Sequence, residues 1–123
     1  MRDYRRLEVY RCAEQLVIDT YRCTASMALE ERYRLRAQMR AAAVSIASNI
    51  AEGSARTTDL DFARFIEIAL GSARELECQL TLAEKLGVLM ANPRDASARC
   101  DRTSRMLTTL LRALRKPGAR SCP

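Results

Sequence analysis

The sequence predicts an all-α protein that folds as an antiparallel up-down-up-down four-helix bundle. Four separate stretches of the chain carry apolar residues at steps of three and four, the spacing that places side chains on one face of an α-helix. Apolar residues make up 48% of the 123 residues but aromatic residues only 5%, so small and aliphatic side chains must fill the interior between closely packed helices. The connections between the four stretches are short, which favours antiparallel neighbours.

The first helix is expected to run from about Tyr4 to Cys23. Its apolar face is formed by Leu7, Tyr10, Ala13 or Glu14, Val17 and Tyr21. After a short connection, Ser26 is the expected N-cap of a second helix, because a serine side chain can accept a hydrogen bond from a free backbone N–H of the first turn. We expect this second helix to extend to Glu52 and to stop at Gly53, since glycine is the residue that most often ends a helix.

The third helix is expected between Thr58, whose spacing to Asp61 resembles a capping box, and Leu86, with Gly87 as the stop. Its core face has strict four-three spacing and consists of Phe62, Ile66, Ala69, Ala73, Leu76, Leu80 and Ala83. A second line of residues runs beside it: Phe65, Ile68, Ser72, Glu75, Gln79, Leu82 and Leu86. We predict that the apolar members of this second line, Phe65, Ile68, Leu82 and Leu86, form an oligomer interface. The alternative is that they broaden the core within one subunit.

The fourth helix is expected to begin at Asn92-Pro93, an N-cap followed by a proline at the first helical position. Its core face is Ala96, Cys100, Thr103, Leu107, Leu110 and Leu114. Pro117-Gly118 should end this helix. The chain is therefore predicted to form one domain over residues 1–116, followed by a flexible C-terminal tail over residues 117–123.

The charge of the chain is concentrated at its C-terminal end. Residues 1–91 contain 13 basic and 13 acidic residues, whereas residues 92–123 contain 8 basic and 2 acidic residues, which accounts for the net charge of +6. At about 100° per residue, four cations of the fourth helix fall opposite its leucines. They are Arg102, Arg105, Arg112 and Lys116. We expect these residues to bind the phosphates of RNA or DNA without sequence preference. The alternative is a solvated face that maintains solubility.

A set of polar residues lies on the second and third helices where purely apolar faces would be simplest. The set is Arg40, Ser45, Asn49, Glu52, Ser72, Glu75 and Gln79. Counting outward from the turn predicts a contact between Arg40 and Glu75, and at least partial burial of Asn49 and Glu52. Such a network would fix the register between helices, and the alternative is a pocket that contains an acid or a base.

The sequence argues against an enzyme and against a bound cofactor or metal. It contains no histidine, which excludes Glu-x-x-His di-iron ligands and nucleophiles activated by histidine. The five cysteines are widely spaced without a C-x-x-C pair, and we interpret them as small apolar residues that stay reduced, with Cys122 on the C-terminal tail. No apolar run approaches the ~20 residues that span a bilayer, and no signal peptide is evident at the start, so a cytoplasmic protein without membrane contact is expected.

Two motifs resemble the bacterial four helix bundle protein family, also called the 23S rRNA intervening-sequence proteins, which is related to the accessory proteins of diversity-generating retroelements. They are Ala43-Val-Ser-Ile-Ala-Ser-Asn-Ile-Ala-Glu-Gly53 and Ile68-Ala-Leu-Gly-Ser-Ala-Arg-Glu-Leu-Glu77. The resemblance covers about residues 7–90. This chain departs from the family pattern at Ala28 and Ala47, where proline is frequent, and at Ala41, where a basic residue is frequent.

The resemblance implies an antiparallel bundle that assembles as a homopentamer. In some members a basic surface is thought to contact nucleic acid or a reverse transcriptase. We therefore expect a non-enzymatic homo-oligomeric scaffold that binds nucleic acid nonspecifically or supports a ribonucleoprotein or reverse-transcriptase partner. The alternative is a protein–protein interaction module that has no role with nucleic acid.

Overall fold

The computed structural model describes residues 2–27, 30 and 34–116. A short 3₁₀ helix, Tyr4–Arg6, is followed by four α-helices: α1 (Glu8–Thr24), α2 (Leu35–Ser54), α3 (Asp59–Leu86) and α4 (Arg94–Leu114). Each α-helix contacts the next along the chain, and α4 also contacts α1. No strand occurs in the described ranges. The prediction of an all-α four-helix bundle is confirmed.

On α3 and α4 the core consists of the faces that the apolar spacing predicted. Every residue of the predicted α3 core face, from Phe62 to Ala83, is buried. On α4 the predicted face is buried except for Leu110, which is half-buried. Ile46 and Ile50 complete the centre of the bundle from α2. Burial of apolar side chains of this size contributes roughly 1.5–3 kcal/mol each, so these faces supply most of the stabilising free energy.

On α1 the predicted apolar face is wrong except at Ala13. Leu7, Tyr10 and Val17 are half-buried and Tyr21 is exposed, whereas Val9, Ala13, Leu16 and Cys23 are buried. The buried face of α1 is shifted by about one residue, or roughly 100° around the helix, which leaves Tyr10 and Val17 at its edge.

Contacts between α1 and α4 pair residues in opposite chain order. The Cys12 Sγ and Thr103 Oγ1 atoms are 3.2 Å apart, and Arg99 Nε donates a hydrogen bond of 3.2 Å to Asp19 Oδ2. The step forward along α1 from Cys12 to Asp19 therefore corresponds to a step backward along α4 from Thr103 to Arg99. This is the order expected of antiparallel neighbours in contact.

The bounds of α3 and the start of α4 follow the predicted capping signals, whereas α4 ends at Leu114, before the predicted stop at Pro117-Gly118. Thr58 Oγ1 accepts a hydrogen bond of 3.1 Å from the backbone N–H of Asp61, which satisfies a free donor in the first turn of α3. Gly87 ends α3 with a φ of 69°, a left-handed conformation that residues with a side chain rarely adopt. Asn92 Oδ1 accepts a hydrogen bond of 2.9 Å from the N–H of Arg94, where α4 begins.

The predicted starts of the first two helices are wrong. Asp3 caps the separate 3₁₀ turn through a 3.1 Å hydrogen bond from the N–H of Arg5, so α1 begins at Glu8 and not at Tyr4. Ser26 lies in an exposed turn, and α2 begins only at Leu35. The predicted second helix included residues 28, 29 and 31–33, which lie outside the described residues, as does the predicted tail 117–123.

Gly53 does not end α2, contrary to the prediction, because the helix continues to Ser54. The glycine is buried against α3. A β carbon at this position would lie 2.6 Å from Phe65 Cβ and 2.9 Å from Phe62 Cδ1. The residue is therefore a point of close approach between two helices, a role that requires the absence of a side chain.

Candidate functional site

Four cations form a basic stripe on the outer face of α4, as the sequence predicted. The α4 basic stripe consists of Arg102, Arg105, Arg112 and Lys116, and all four are exposed. They lie there because the opposite face of α4 carries the buried Ala96, Cys100, Thr103 and Leu107. A helix with one buried face directs the residues half a turn away toward solvent.

The acidic partners of the α4 basic stripe are few. Arg105 pairs with Asp101 at 3.1 Å, one turn away on α4, and Arg102 lies 3.9 Å from Glu8 on α1. Within the described ranges, neither Arg112 nor Lys116 has a carboxylate within 4.0 Å. Such exposed pairs contribute only about 0–1 kcal/mol each to stability, so the arginines can exchange these carboxylates for phosphate oxygens at little cost.

Three further arginines adjoin the α4 basic stripe and were missed by the sequence analysis. Arg94 lies five helical turns before Arg112 and therefore on the same side of α4; its spacing could have identified it. Arg11 and Arg99 line a polar groove of about 360 Å³ between α1 and α4 that also reaches Arg102. Because this groove depends on the contact between the two helices, no signal in the sequence predicted it.

Arg99 is held in place by a buried carboxylate. Asp19 is only 7% exposed and accepts hydrogen bonds from Arg99 Nε at 3.2 Å and from Gln15 Nε2 at 3.0 Å. A buried carboxylate needs such partners because an unpaired charge away from water is strongly unfavourable. The pair thus joins α1 to α4 at the edge of the basic surface.

Part of the predicted polar network forms between α2 and α3. The hydroxyl groups of Ser45 and Ser72 are 2.8 Å apart and share a hydrogen bond. Asn49 is half-buried and its Nδ2 donates to the carbonyl and the hydroxyl oxygen of Ser45, at 2.8 and 3.1 Å. The predicted partial burial of Asn49 is confirmed. These contacts join α2 to α3 and contain no acid or base.

Gln79 and Glu75 form a second, separate polar pair on α3. Gln79 is buried, and its Nε2 donates to Glu75 Oε2 over 3.4 Å, a long hydrogen bond. Glu75 itself is exposed. No hydrogen bond reaches the buried Gln79 Oε1 from the described residues. The predicted network is thus divided into two clusters on one side of the bundle.

The predicted contact between Arg40 and Glu75 is wrong. Arg40 turns toward α1, where its Nε donates to Thr24 Oγ1 at 3.0 Å and its Nη2 donates to the carbonyl of Tyr21 at 3.2 Å. The guanidinium also stacks on the Tyr21 ring at 4.2 Å. Arg40 lies on the α1 side of α2, whereas Ser45 lies on the α3 side, and counting from the turn could not distinguish the two sides. Arg40 therefore joins α1 to α2.

Glu52 is exposed, contrary to the prediction of partial burial. Its side chain is 60% exposed and pairs with Arg56 at 3.6 Å, one turn later. The prediction placed Glu52 on one polar line of α2 with Ser45 and Asn49, facing α3. Because α2 continues through Gly53, which faces α3, Glu52 instead points to solvent beside the end of the helix. It does not belong to the polar network.

The predicted oligomer interface forms an α3 flank that the core does not cover. The α3 flank consists of Phe65, Ile68, Leu82 and Leu86. Ile68, Leu82 and Leu86 are 52%, 47% and 65% exposed, so they do not broaden the core of the subunit. Phe65 is half-buried beneath Arg56, whose guanidinium lies 4.6 Å from its ring centroid.

An apolar groove between α1 and α2 is a second uncovered surface, and the sequence analysis missed it. This α1–α2 groove has a volume of about 390 Å³. It is lined by Tyr4, Tyr10, Glu14, Val17, Ile18, Val44, Ala47, Ser48 and Ala51. The Tyr4 and Tyr10 rings meet edge to face, with their centroids 4.6 Å apart. The predicted apolar face of α1 included Tyr10 and Val17, which line this groove, so apolar spacing alone could not distinguish the groove from the core.

The described side chains offer no arrangement typical of catalysis. Cys12, Cys23 and Cys100 are buried free thiols. Burial raises the pKa of Cys100 to about 12 and also raises the pKa of Cys23, so both thiols are protonated and weak nucleophiles at neutral pH. Among residues 2–27, 30 and 34–116, no three His, Cys, Asp or Glu side chains cluster as metal ligands.

None of the helices in these ranges has the length and hydropathy needed to cross a bilayer.

Comparison with known proteins relates the chain to one family. The family model for the 23S rRNA-intervening sequence protein matches residues 5–109. The fold is similar to a crystal structure of a protein of unknown function from the S23 ribosomal protein family of Bacteroides thetaiotaomicron VPI-5482, with a TM-score of 0.74 and 18% identity over 84% of this chain and 97% of that chain. At this identity the likeness supports the fold. No curated protein matches the sequence.

Proposed function

The chain belongs to the 23S rRNA-intervening sequence protein family, and from that premise we propose that it is a non-enzymatic homo-oligomeric scaffold that binds nucleic acid through the α4 basic stripe. The observation that carries the proposal is the placement of Arg112 and Lys116. Both are exposed, and neither pairs with a carboxylate in the described part of the chain. Unpaired cations on one helix face attract phosphates, and they release counterions when they bind.

The distribution of charge supports a polyanion as the partner. Acidic and basic residues balance over residues 1–91, so the positive field comes from the last quarter of the chain. Arg11 lies beside the α4 basic stripe toward α1, in a groove that is also lined by Glu8 and by Arg99, which is paired with Asp19. Neither α4 nor the lining of the adjoining groove contains an aromatic residue, which favours binding to the phosphate backbone over stacking with single-stranded bases.

Self-assembly would multiply the basic surface. The exposed α3 flank supports an oligomer, and the family resemblance implies a homopentamer. Several α4 basic stripes on one particle would bind a long RNA or DNA with an avidity well above that of one subunit. In this proposal the particle is cytoplasmic, and a reverse transcriptase or another ribonucleoprotein component could join it on the bound nucleic acid.

Binding to nucleic acid as a function of salt tests the proposal. Changing Arg102, Arg105, Arg112 and Lys116 together to Gln should weaken binding to a duplex DNA and to an RNA in fluorescence anisotropy. Each lost phosphate contact lowers the slope of log affinity against log salt by about 0.9 for duplex DNA, so loss of four contacts should flatten the slope by roughly 3–4.

A matched control removes four exposed cations elsewhere: Arg22, Arg34, Arg74 and Lys85, also changed to Gln. This variant loses the same net charge but keeps the α4 basic stripe, so its salt slope should stay close to that of the wild type. The proposal is wrong if both variants lose the same slope, or if the wild type does not bind nucleic acid at low salt.

A protein–protein interaction module is the second candidate, and the uncovered α1–α2 groove favours it. An apolar groove of this kind can take the apolar face of a partner helix. Affinity capture with the purified protein as bait distinguishes the two functions. A single protein that is retained after nuclease treatment supports the interaction module, whereas proteins that are lost with the nucleic acid support the scaffold.

A further inference from the structure

The middle of α2 has no charged residue on any of its sides. Between Ala41 and Ala51 the helix carries only Ala, Val, Ser, Ile and Asn. A helix that lacks charge all round is normally surrounded by protein. Here the outward residues Ala41, Val44 and Ser48 are exposed, and Val44 is 41% exposed. The outer side of α2 thus has the composition of an interface and no cover within the subunit.

The α1–α2 groove turns this outer side into a concave surface. Ile18 and Val44 stand at its walls, and Ala47 and Ala51 form a floor of small residues. Small residues let another helix approach closely, while the flanking aliphatic side chains supply contact area. The groove runs along α2 from Val44 to Ala51, about 10 Å at the helical rise per residue, which fits two turns of a partner helix.

The same chain carries a convex counterpart. Ile68 projects from the middle of the N-terminal half of α3 and is 52% exposed. Gly71 is nearby, and no atom lies within 4 Å of the position that its β carbon would take, so the backbone of α3 is accessible beside Ile68. A protruding aliphatic side chain next to a glycine is suited to enter a shallow groove.

The charges at the two surfaces are complementary. Glu14 is the one charged residue among those that line the α1–α2 groove. Arg64 lies one turn before Ile68, is exposed, and has no carboxylate within 4.0 Å in the described part of the chain. With Ile68 in the groove of a second copy, Arg64 and Glu14 would supply the cation and the anion of an ion pair across the contact.

We propose that this protein assembles head to tail, with Ile68 on the α3 flank of one copy in the α1–α2 groove of the next. The inference rests on the proposed self-assembly and specifies its interface. Because the two surfaces are different patches of one chain, the contact is heterologous. A ring occupies every groove and every flank, whereas a two-fold dimer formed by α3 flanks leaves every α1–α2 groove empty.

Single substitutions on the two surfaces test the interface. Val44→Glu and Ile68→Glu each place a charge in the contact and should reduce the mass measured by sedimentation velocity from that of the oligomer to that of one subunit. Leu60→Glu is the control, because Leu60 is a 70% exposed apolar residue of α3 outside both surfaces. It should keep the mass of the wild type. Circular dichroism and thermal unfolding verify that the three variants fold.

Mixing the two monomeric variants distinguishes head-to-tail assembly from two-fold pairing. The Val44→Glu subunit retains an intact α3 flank, and the Ile68→Glu subunit retains an intact α1–α2 groove. An equimolar mixture should therefore form a heterodimer with twice the subunit mass. If the α3 flanks paired with each other, Val44→Glu would remain an oligomer and the mixture would contain no heterodimer, which would overturn the inference.

A charge exchange provides a test that does not rely on the apolar residues. Glu14→Arg and Arg64→Glu should each weaken assembly by about tenfold in dissociation constant, and the double variant should recover most of that loss. Failure of the double variant to recover contradicts the pairing. A wild-type oligomer whose mass is unaffected by Val44→Glu refutes this inference alone, whereas a monomeric wild type refutes the proposed assembly as well.

Discussion

Gly53 on α2 lies so close to Phe65 on α3 that a β carbon on the glycine would be 2.6 Å from Phe65 Cβ. This distance is well below van der Waals contact, and Phe65 Cβ cannot move without its backbone. The glycine therefore determines how closely α2 and α3 approach at the turn that joins them. Phe65 is covered on its outer side by Arg56, so the contact also positions one end of the α3 flank.

Replacement of Gly53 by alanine should destabilise the protein. Crowding in a packed contact costs about 1–3 kcal/mol, and it outweighs the gain of up to about 1 kcal/mol from better helix propensity. The control is Gly71→Ala, since a β carbon on this α3 glycine meets nothing within 4 Å. That change should stabilise by about 0.5–1 kcal/mol. Urea unfolding of both variants measures the two effects, and equal stabilisation by both would contradict the close approach.

Asp19 should stabilise the contact between α1 and α4. Asp19→Ala leaves Arg99 and Gln15 without their partner, and we expect a loss of about 1–2 kcal/mol in the free energy of unfolding, since Arg99 can still reach water. Asp101→Ala removes an exposed ion pair with Arg105 and should change stability by less than about 0.5 kcal/mol. Thermal unfolding of the two variants gives the comparison. A loss for Asp19→Ala no larger than that for Asp101→Ala would show that the buried pair has no structural role.

Ser45 and Ser72 should be energetically coupled across α2 and α3. Each hydroxyl satisfies the other, so the double variant Ser45→Ala, Ser72→Ala should be more stable than the sum of the two single losses predicts. The coupling energy from a double-mutant cycle should be about 0.5–1.5 kcal/mol. A cycle with Ser45 and the exposed Ser97 of α4 should give no coupling. Zero coupling in the first cycle would contradict a role of the Ser45–Ser72 pair in fixing the register of α2 and α3.

Burial of the Cys100 thiol predicts a loss of stability at high pH. The fold raises the pKa of Cys100 from 9.0 to about 12, mainly because burial disfavours the thiolate. The contribution of this thiol is therefore fully present below pH 9.0 and is lost as the pH rises toward 12, because the unfolded chain ionises first. The difference in unfolding free energy between the wild type and Cys100→Ala should shift over this range. A difference that is constant with pH would contradict the burial of an unionised thiol.

The sequence predicted α3 well because its signals agree. The capping threonine at Thr58, the regular apolar spacing and the terminal Gly87 all place the helix between the same bounds, and local capping determines the ends that the structure shows. Asn92 and Pro93 likewise located the start of α4. Where local chemistry and the global fold agree, a pattern in the sequence is enough to locate the element.

The start of α2 could not be read in the same way. Between Ser26 and Leu35 the sequence contains good helix formers and neither glycine nor proline, so local propensity favours a helix that starts near Ser26, whereas α2 begins at Leu35. Gly53 was misinterpreted for a different reason. Its signal as a helix end is the same as its signal as a close contact, and only the position of Phe65 distinguishes them.

The same difference between local and tertiary signals explains which surfaces the sequence predicted. The α4 basic stripe could be predicted because one helix carries all four cations, and the helical period alone aligns them. The α1–α2 groove could not, because it is built from two helices and from residues whose spacing is that of a core. Arg40 illustrates the limit most clearly: its chain distance from Glu75 was compatible with a contact, but the side of α2 on which it lies directs it to Tyr21.

The central claim is that uncovered apolar surfaces on α1, α2 and α3 join copies of this chain and leave the α4 basic stripes facing outward. The mass of the wild-type protein in solution at micromolar concentration tests it most directly. Sedimentation velocity should give a closed oligomer of several subunits, and the variant with four Gln substitutions in the α4 basic stripe should have the same mass. A single-subunit mass for the wild type throughout the micromolar range would contradict the account.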